Sequence, residues 1–202
     1  MEIKIKKINF VLSLLALYIV PVLLVYTKII PFKYHILTLL LVTALIIILT
    51  IVQKISFKNL GIYSDKLFRY YRPYILFTII AIVFVSVMAE IIGLEPLDWD
   101  SQQLYILWAI PISFAQEFIY RGYLMYKLKT FFRSAWVIIL INALLFTFLH
   151  LVFKGLLVVL PLAFISGLAF AWMYKKYPNL LLISLSHTFL NFTAVFIYGF
   201  FK

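Results

Sequence analysis

The sequence predicts an all-α fold, a polytopic transmembrane helix bundle of about seven spans. Three observations predict it. Of the 202 residues 66% are hydrophobic and only 12% charged, with a mean hydropathy of +1.11, whereas soluble domains carry about a quarter charged residues. The apolar residues fall in runs of about 20, the length a helix needs to cross the hydrocarbon core. Alternation of period 2 is absent, and lipid admits no open strand edge, so helices are the spanning element. A chain of this length has no room for a separate soluble domain beside such a bundle.

Runs bounded by charge, Pro or Gly place the spans at about 8–27, 34–53, 73–93, 102–126, 134–153, 155–174 and 178–201. The first run follows Lys4, Lys6 and Lys7, as the core of a signal peptide would. It continues without a charge to Thr27 and offers no small-x-small cleavage site, so it reads as a retained span. On this division, residues 1–72 hold two amino-terminal helices and a basic cytoplasmic loop, and residues 73–202 hold the remaining helices.

The basic residues orient the bundle. Thirteen fall on one side: Lys4, Lys6 and Lys7; Lys54, Lys58, Lys66, Arg69 and Arg72; Lys127, Lys129 and Arg133; Lys175 and Lys176. The other side has Lys28, Lys33, Lys154 and Lys202, with the acidic group Glu95, Asp98 and Asp100. The positive-inside rule then puts the amino terminus in the cytoplasm and, with seven spans, the carboxyl terminus outside. The net charge of +11 is therefore a topology signal, because its charges are dispersed over loops with no basic stripe for nucleic acid. The expected partners are the bilayer and a membrane protein or peptide, and no nucleic acid. Cysteine is absent, which excludes disulfides, thiolate metal sites and a Cys nucleophile. Richness in Ile, Lys, Phe and Tyr points to the cell membrane of a low-GC bacterium.

Two loops stand out. Lys54 to Arg72 sets aromatics beside basic residues around Lys58-Asn59-Leu60-Gly61-Ile62, which suits either an amphipathic stretch on an anionic lipid surface or an ordinary basic loop. Leu94 to Gln103 combines Trp99 with three acids and reads as an interfacial anchor.

Three polar constellations lie within the spans: Gln116-Glu117-x-x-x-Arg121, Phe146-x-x-x-His150 and His187-x-x-x-Asn191. Charged and imidazole groups at bilayer depth are costly unless they pair, face a wet cavity or do chemistry, so each marks a candidate site. Glu117 and Arg121 share a helix face within ion-pair reach, which equally suits a salt bridge that only positions a helix. Gln116 lies about 100° around the helix from Glu117 and cannot share its direction. His187 and Asn191 also share a face, either to contact one reacting centre or to clamp two helices together. His150 follows Phe146 by one turn. His35 sits at the water boundary between the first two spans and is assigned no role.

The ordered set Gln116-Glu117-Phe118-Ile119-Tyr120-Arg121-Gly122, Phe146-x-x-x-His150 and His187-x-x-x-Asn191 resembles the CPBP family of intramembrane proteases. That family joins type II CAAX prenyl endopeptidases to bacterial bacteriocin-processing and self-immunity (Abi) proteins. Its core resembles residues 102–195, and Leu60-Gly61 resembles a Leu-Gly signature found upstream of it. The resemblance implies a membrane-embedded endopeptidase that hydrolyses a peptide bond without a covalent intermediate. It implies His150 as a water-activating partner, His187 and Asn191 as oxyanion donors, and Glu117 with Arg121 as a supporting pair. The family's first motif reads Glu-Glu-x-x-x-Arg, and Gln116 stands at the position of the water-activating first Glu. A neutral carboxamide cannot take a proton from water near pH 7. Glu117 replaces it as base, His150 works alone, or the chain is a pseudo-protease scaffold that binds a membrane partner; all three stay open.

The family is commonly labelled metalloprotease, and Glu117, His150 and His187 are ligand types compatible with zinc. No His-Glu-x-x-His helix is present, and a metal-free mechanism needs no further residue. At about 1.5 Å per residue, Glu117 and His187 fall roughly 10 Å from the cytoplasmic boundary, while His150 falls nearer the outer one. A convergent site therefore requires the fifth helix to start deeper or to tilt. The resulting expectation is a CPBP-type intramembrane endopeptidase with a cavity in the cytoplasmic half, ahead of the scaffold and of a small transporter. Matched broken helices, which the transporter would favour, are not evident.

Overall fold

The computed structural model describes residues 2–63, 67–94 and 103–197; Trp99 and the acidic group Glu95, Asp98 and Asp100 lie outside them. Among the described residues the chain is all-helical, with seven rods: α1 over 2–26, α2 over Phe32–Val52, α3 over Leu67–Ile92, α4 over 103–131, α5 over Ala135–Val152, α6 over Leu156–Lys176 and α7 over 180–197. The helix order follows the apolar runs, because charge, Pro and Gly punctuate them where the helices end. Ser134 and Asn179 cap α5 and α7 by accepting from Val137 N and Leu182 N. Gly155, at φ 64°, turns the chain between α5 and α6.

Three details differ from the sequence expectation. α3 begins at Leu67, ahead of the span drawn from 73, so Arg69 and Arg72 lie on its first turns and Pro73 lies within the helix. α4 runs on to Phe131, placing Lys127 and Lys129 on the helix. Of the seven rods, five are long and apolar enough to cross a membrane by themselves: α1, α2, α3, α5 and α6. α4 falls short because it carries Glu117, Arg121, Lys127 and Lys129, and α7 because its apolar stretch is the shorter Leu180–Ala194. The two helices that miss the mark are those that bring Glu117, Arg121 and His187.

The surface is what a lipid solvent selects. Phe68, Trp136 and Leu157 are 82%, 72% and 94% exposed, and apolar exposure continues along the outward faces of α2 and α3. In water so much contiguous apolar surface would drive association. The interior instead holds Thr50, Ser113, Glu117, Arg121, Asn142 and Asn179, all fully buried. α5 and α6 pack as an antiparallel pair whose backbones approach at Gly167, where a Cβ would stand 3.1 Å from Ala143 Cα. α7 packs against both α3 and α4, with Thr78 Oγ1 donating to Ser186 Oγ at 2.7 Å.

Where it is described, the segment after α2 forms a short 3-10 turn over Phe57–Leu60 with Lys54, Phe57 and Lys58 exposed, and it is anchored to the bundle at Leu60 and Gly61. Leu60 is fully buried, Tyr174 Oη donates to Leu60 O at 2.8 Å, and Leu180 N donates to Gly61 O at 2.8 Å. Gly61 adopts φ 80°, and a Cβ there would run into the Tyr174 hydroxyl. The Leu-Gly pair is thus a peg between α6 and the start of α7, supplying an acceptor to an N–H that a helix terminus leaves unpaired.

Candidate active site

α4 and α7 run antiparallel, and two polar rungs one helical turn apart join them. In the first, His187 Nδ1 lies 2.6 Å from Glu117 Oε1. In the second, Asn191 Nδ2 donates to Ser113 Oγ at 3.1 Å. Ser113 precedes Glu117 by four residues as Asn191 follows His187 by four, so the antiparallel faces register side chain for side chain. Ser113 was not anticipated from sequence, although its i−4 spacing to Glu117 mirrors the His187–Asn191 pair.

Arg121 completes the first rung. Its Nη1 stands 3.2 Å from Glu117 Oε1, its Nη2 donates to Gly167 O at 3.3 Å, and both charged side chains are fully buried. The guanidinium lies between aromatic rings, 4.3 Å from the Phe146 centroid and 5.4 Å from that of Phe170. Aromatic faces attract a desolvated cation, so they stand in for part of the water it has lost. One carboxylate oxygen therefore serves both Arg121 and His187, while Glu117 Oε2 is buried with no hydrogen-bond partner among the described residues.

Phe146 links the second imidazole to this cluster. Its ring lies 4.8 Å from that of His150 and 5.8 Å from that of His187. α5 does not start deeper than the span drawn from 134; its first residue is Ala135. The offset between His150 and the carboxylate level is bridged by this ring. His150 is buried at the end of the α-helical part of α5, with Nδ1 2.9 Å from Phe146 O. Both histidines thus face an oxygen acceptor with Nδ1. In the neutral ring that fixes the proton on Nδ1 and makes Nε2 the acceptor.

Directly after Glu117, α4 widens to π turns over Phe118–Leu124. A π segment disturbs the regular carbonyl ladder, and such segments concentrate at functional sites. Neighbouring helices supply donors to it: Tyr18 Oη to Ile119 O at 3.1 Å and Asn142 Nδ2 to Tyr120 O at 2.7 Å. Asn142 is signalled in the sequence only as a lone carboxamide inside an apolar span, and Tyr18 not at all, since the π turns they support are not legible in the apolar run.

Gln116 is 8% exposed, and its Oε1 has no partner among the described residues. It takes no part in the Glu117 cluster, as its angular offset on the helix requires. His35 is half-buried and stacked on Phe32 at 4.3 Å, with Nδ1 2.7 Å from Phe32 O. Among the described residues no three His, Cys, Asp or Glu side chains gather closely enough to hold one metal ion. Glu117 Oε1 is engaged by Arg121 and His187 Nδ1, which leaves Glu117 Oε2 and the Nε2 atoms of His150 and His187 as the ligand atoms a zinc ion would need.

The fold and site define a class of largely apolar helical-bundle proteins whose few buried charges meet as Glu, Arg and His on facing helices. Residues 99–193, just under half of the chain, match the family described as type II CAAX prenyl endopeptidase Rce1-like, and over them the chain carries a domain of that family. α1, α2 and α3 precede the matched region, which takes in α4 to α6 and α7 as far as Thr193. No curated protein and no solved structure matches the chain.

Proposed function

We propose that the chain is an integral membrane endopeptidase of seven spans, with a cytoplasmic amino terminus, that hydrolyses a peptide bond of a membrane protein or peptide using water as nucleophile. On this reading α1, α2 and the segment after them form an amino-terminal unit, and α3 to α7 carry the catalytic region. The observation that carries the proposal is the 2.6 Å contact between Glu117 Oε1 and His187 Nδ1 inside an Rce1-like domain.

With Nδ1 of His187 on the Glu117 carboxylate, a neutral ring leaves the charges of Glu117 and Arg121 balanced. His187 therefore rests with Nδ1–H on the carboxylate and Nε2 as a lone-pair acceptor. That makes it a base in the resting state, in place of the oxyanion donor that the family pattern implies.

In the proposed cycle His187 Nε2 takes a proton from water, and Glu117 compensates the charge that appears on the ring. The hydroxide adds to the scissile carbonyl carbon, giving a tetrahedral oxyanion. Asn191, which spends one N–H on Ser113, directs its other N–H at that oxygen. Donors aimed at developing charge in a low-dielectric site are worth roughly 3–4 kcal/mol each. His187 then returns the proton to the departing amine as the C–N bond breaks. His150, held by Phe146 O, orients the water through Nε2. Gln116 accepts no proton, and the work of the family's first carboxylate moves one residue along, to Glu117 acting through His187.

The test is mapping of newly formed amino termini in the membrane proteome of cells carrying wild type, Glu117→Gln or His187→Ala. Termini present with wild type and absent with both variants support the protease. Identical termini in all three overturn it and leave the second reading, a non-catalytic scaffold for a membrane peptide. Gln116 is the observation that favours that reading.

A further inference from the structure

A cavity of about 350 Å³ opens between α1, the end of α2 and the last turns of α4. It shares neither the Glu117 cluster nor the Asn191 rung. Its polar wall is Asn9, Ser13 and Tyr18 from α1, Gln53 after α2, and Tyr123 and Lys127 from α4. Leu14, Leu17 and Leu124 continue it with apolar surface, and Phe10 stacked on Phe131 at 4.2 Å closes one side. This polarity runs from a wet, cationic rim to an aliphatic interior, the gradient of an amphiphile. Its volume lies at the small end of ligand pockets, enough for a headgroup and the first methylenes of its chains.

Charge decides which headgroup. Lys127 Nζ donates to Gln53 Oε1 and lies 5.5 Å from the Tyr123 ring centroid, both uncharged partners. Among the described side chains the carboxylates are Glu90 and Glu117, and neither lines the cavity. An ammonium has three N–H donors, so two remain beyond Gln53. Lys7 and Lys54, exposed and flanking the lining residues in sequence, add positive charge near the rim. An anion that brings aliphatic chains meets every part of this wall, and the bundle end that carries it is the basic end.

We propose that the cavity binds the phosphate headgroup of an anionic phospholipid, with Lys127 as its charged contact. The proposal stands apart from the protease reading. Tyr18 ties the site to the bundle interior, since the same side chain lines the cavity and donates to Ile119 O in the π segment.

The test is native mass spectrometry of the full chain, delipidated in detergent and titrated with phosphatidylglycerol or phosphatidylcholine. Wild type retains one phosphatidylglycerol in preference to phosphatidylcholine. Lys127→Glu weakens that retention by about tenfold or more, the value of one charge-assisted hydrogen bond. Gln53→Glu, which neutralises Lys127 without removing it, does the same and decides the matter should Lys127→Glu not fold. Lys127→Arg keeps the preference, as does Lys176→Glu, a basic-end change outside the cavity. Equal retention of both lipids by wild type overturns the proposal, as does an unchanged preference in Lys127→Glu or Gln53→Glu. Displacement of the lipid by equimolar inorganic phosphate would reassign the cavity to free anions and overturn the lipid assignment.

Discussion

Glu117 Oε1 stands 2.6 Å from His187 Nδ1 and 3.2 Å from Arg121 Nη1, so one carboxylate oxygen holds the ring and the guanidinium at once. Seventy residues of sequence separate Glu117 from His187, and the antiparallel register of α4 and α7 brings them together. A carboxylate in this position fixes which ring nitrogen carries the proton and compensates the ring once it becomes charged.

Glu117 and His187 act as one unit on this reading. Glu117→Gln and His187→Ala should each lower cleavage by about 10²–10⁴, the usual worth of a positioned base. The double variant should be no slower than the worse single variant, since parts of one catalytic unit are not additive. The measurement is initial rate on a substrate identified by terminus mapping. Losses that multiply would show that the two residues work separately.

Gln116→Glu should not raise activity. The family pattern has a carboxylate there, but in the proposed cycle the base is His187, and among the described residues Gln116 Oε1 has no hydrogen-bond partner. A carboxylate placed in that 8% exposed position would also lack a charged partner, which favours its neutral form. The same rate assay checks this. A gain approaching two orders of magnitude would return water activation to position 116.

The helices were legible because lipid imposes a simple rule: about 20 apolar residues between punctuation marks. Residues Pro73, Lys127 and Lys129 misled at the edges, since Pro suits a first turn and Lys a loop, yet here all three lie within helices. The i,i+4 pairs Glu117–Arg121 and His187–Asn191 were legible as faces, because helical periodicity fixes direction within one helix. What those faces meet was not legible. Ser113 opposite Asn191, Phe146 between two imidazoles and Gly167 O beneath Arg121 all depend on packing between helices distant in sequence. The π turns over Phe118–Leu124 escaped for another reason: an apolar run has the same composition whether it closes by four residues or by five.

Gly61→Ala should destabilise the bundle by about 1–3 kcal/mol, the cost of holding a non-glycine residue in a sparsely populated backbone region. The new Cβ would also meet the Tyr174 hydroxyl. Adding Tyr174→Phe removes that contact, so the double variant should lose less than the two single losses combined. Thermal unfolding in detergent reads both. Additive losses would mean that the loop shifts and the hydroxyl does not oppose the methyl.

The thirteen-to-four division of basic residues predicts that the segment after α2 and the end of α4 face the cytoplasm. Single cysteines at Lys58 and Lys154, introduced into this cysteine-free chain, should be shielded from and open to an impermeant thiol reagent, respectively. Labelling of Lys58→Cys alone would invert the bundle.

Arg121 separates a structural from a chemical role for the buried cluster. Arg121→Met leaves Glu117 charged and buried with only His187 beside it, and breaking a buried pair in this way costs about 3–5 kcal/mol. Glu117→Gln alone leaves the guanidinium between Phe146 and Phe170 with Gly167 O as its remaining oxygen partner, at a similar cost. Replacing both removes two desolvated charges together, so Arg121→Met with Glu117→Gln should recover much of the stability that either change loses. Activity should not recover with it, because His187 still lacks its carboxylate. Unfolding temperature and cleavage rate measured on the same three variants decide the point. Stability and activity returning together would make Glu117 a partner of Arg121 alone, and His187 would then need another source of its orientation.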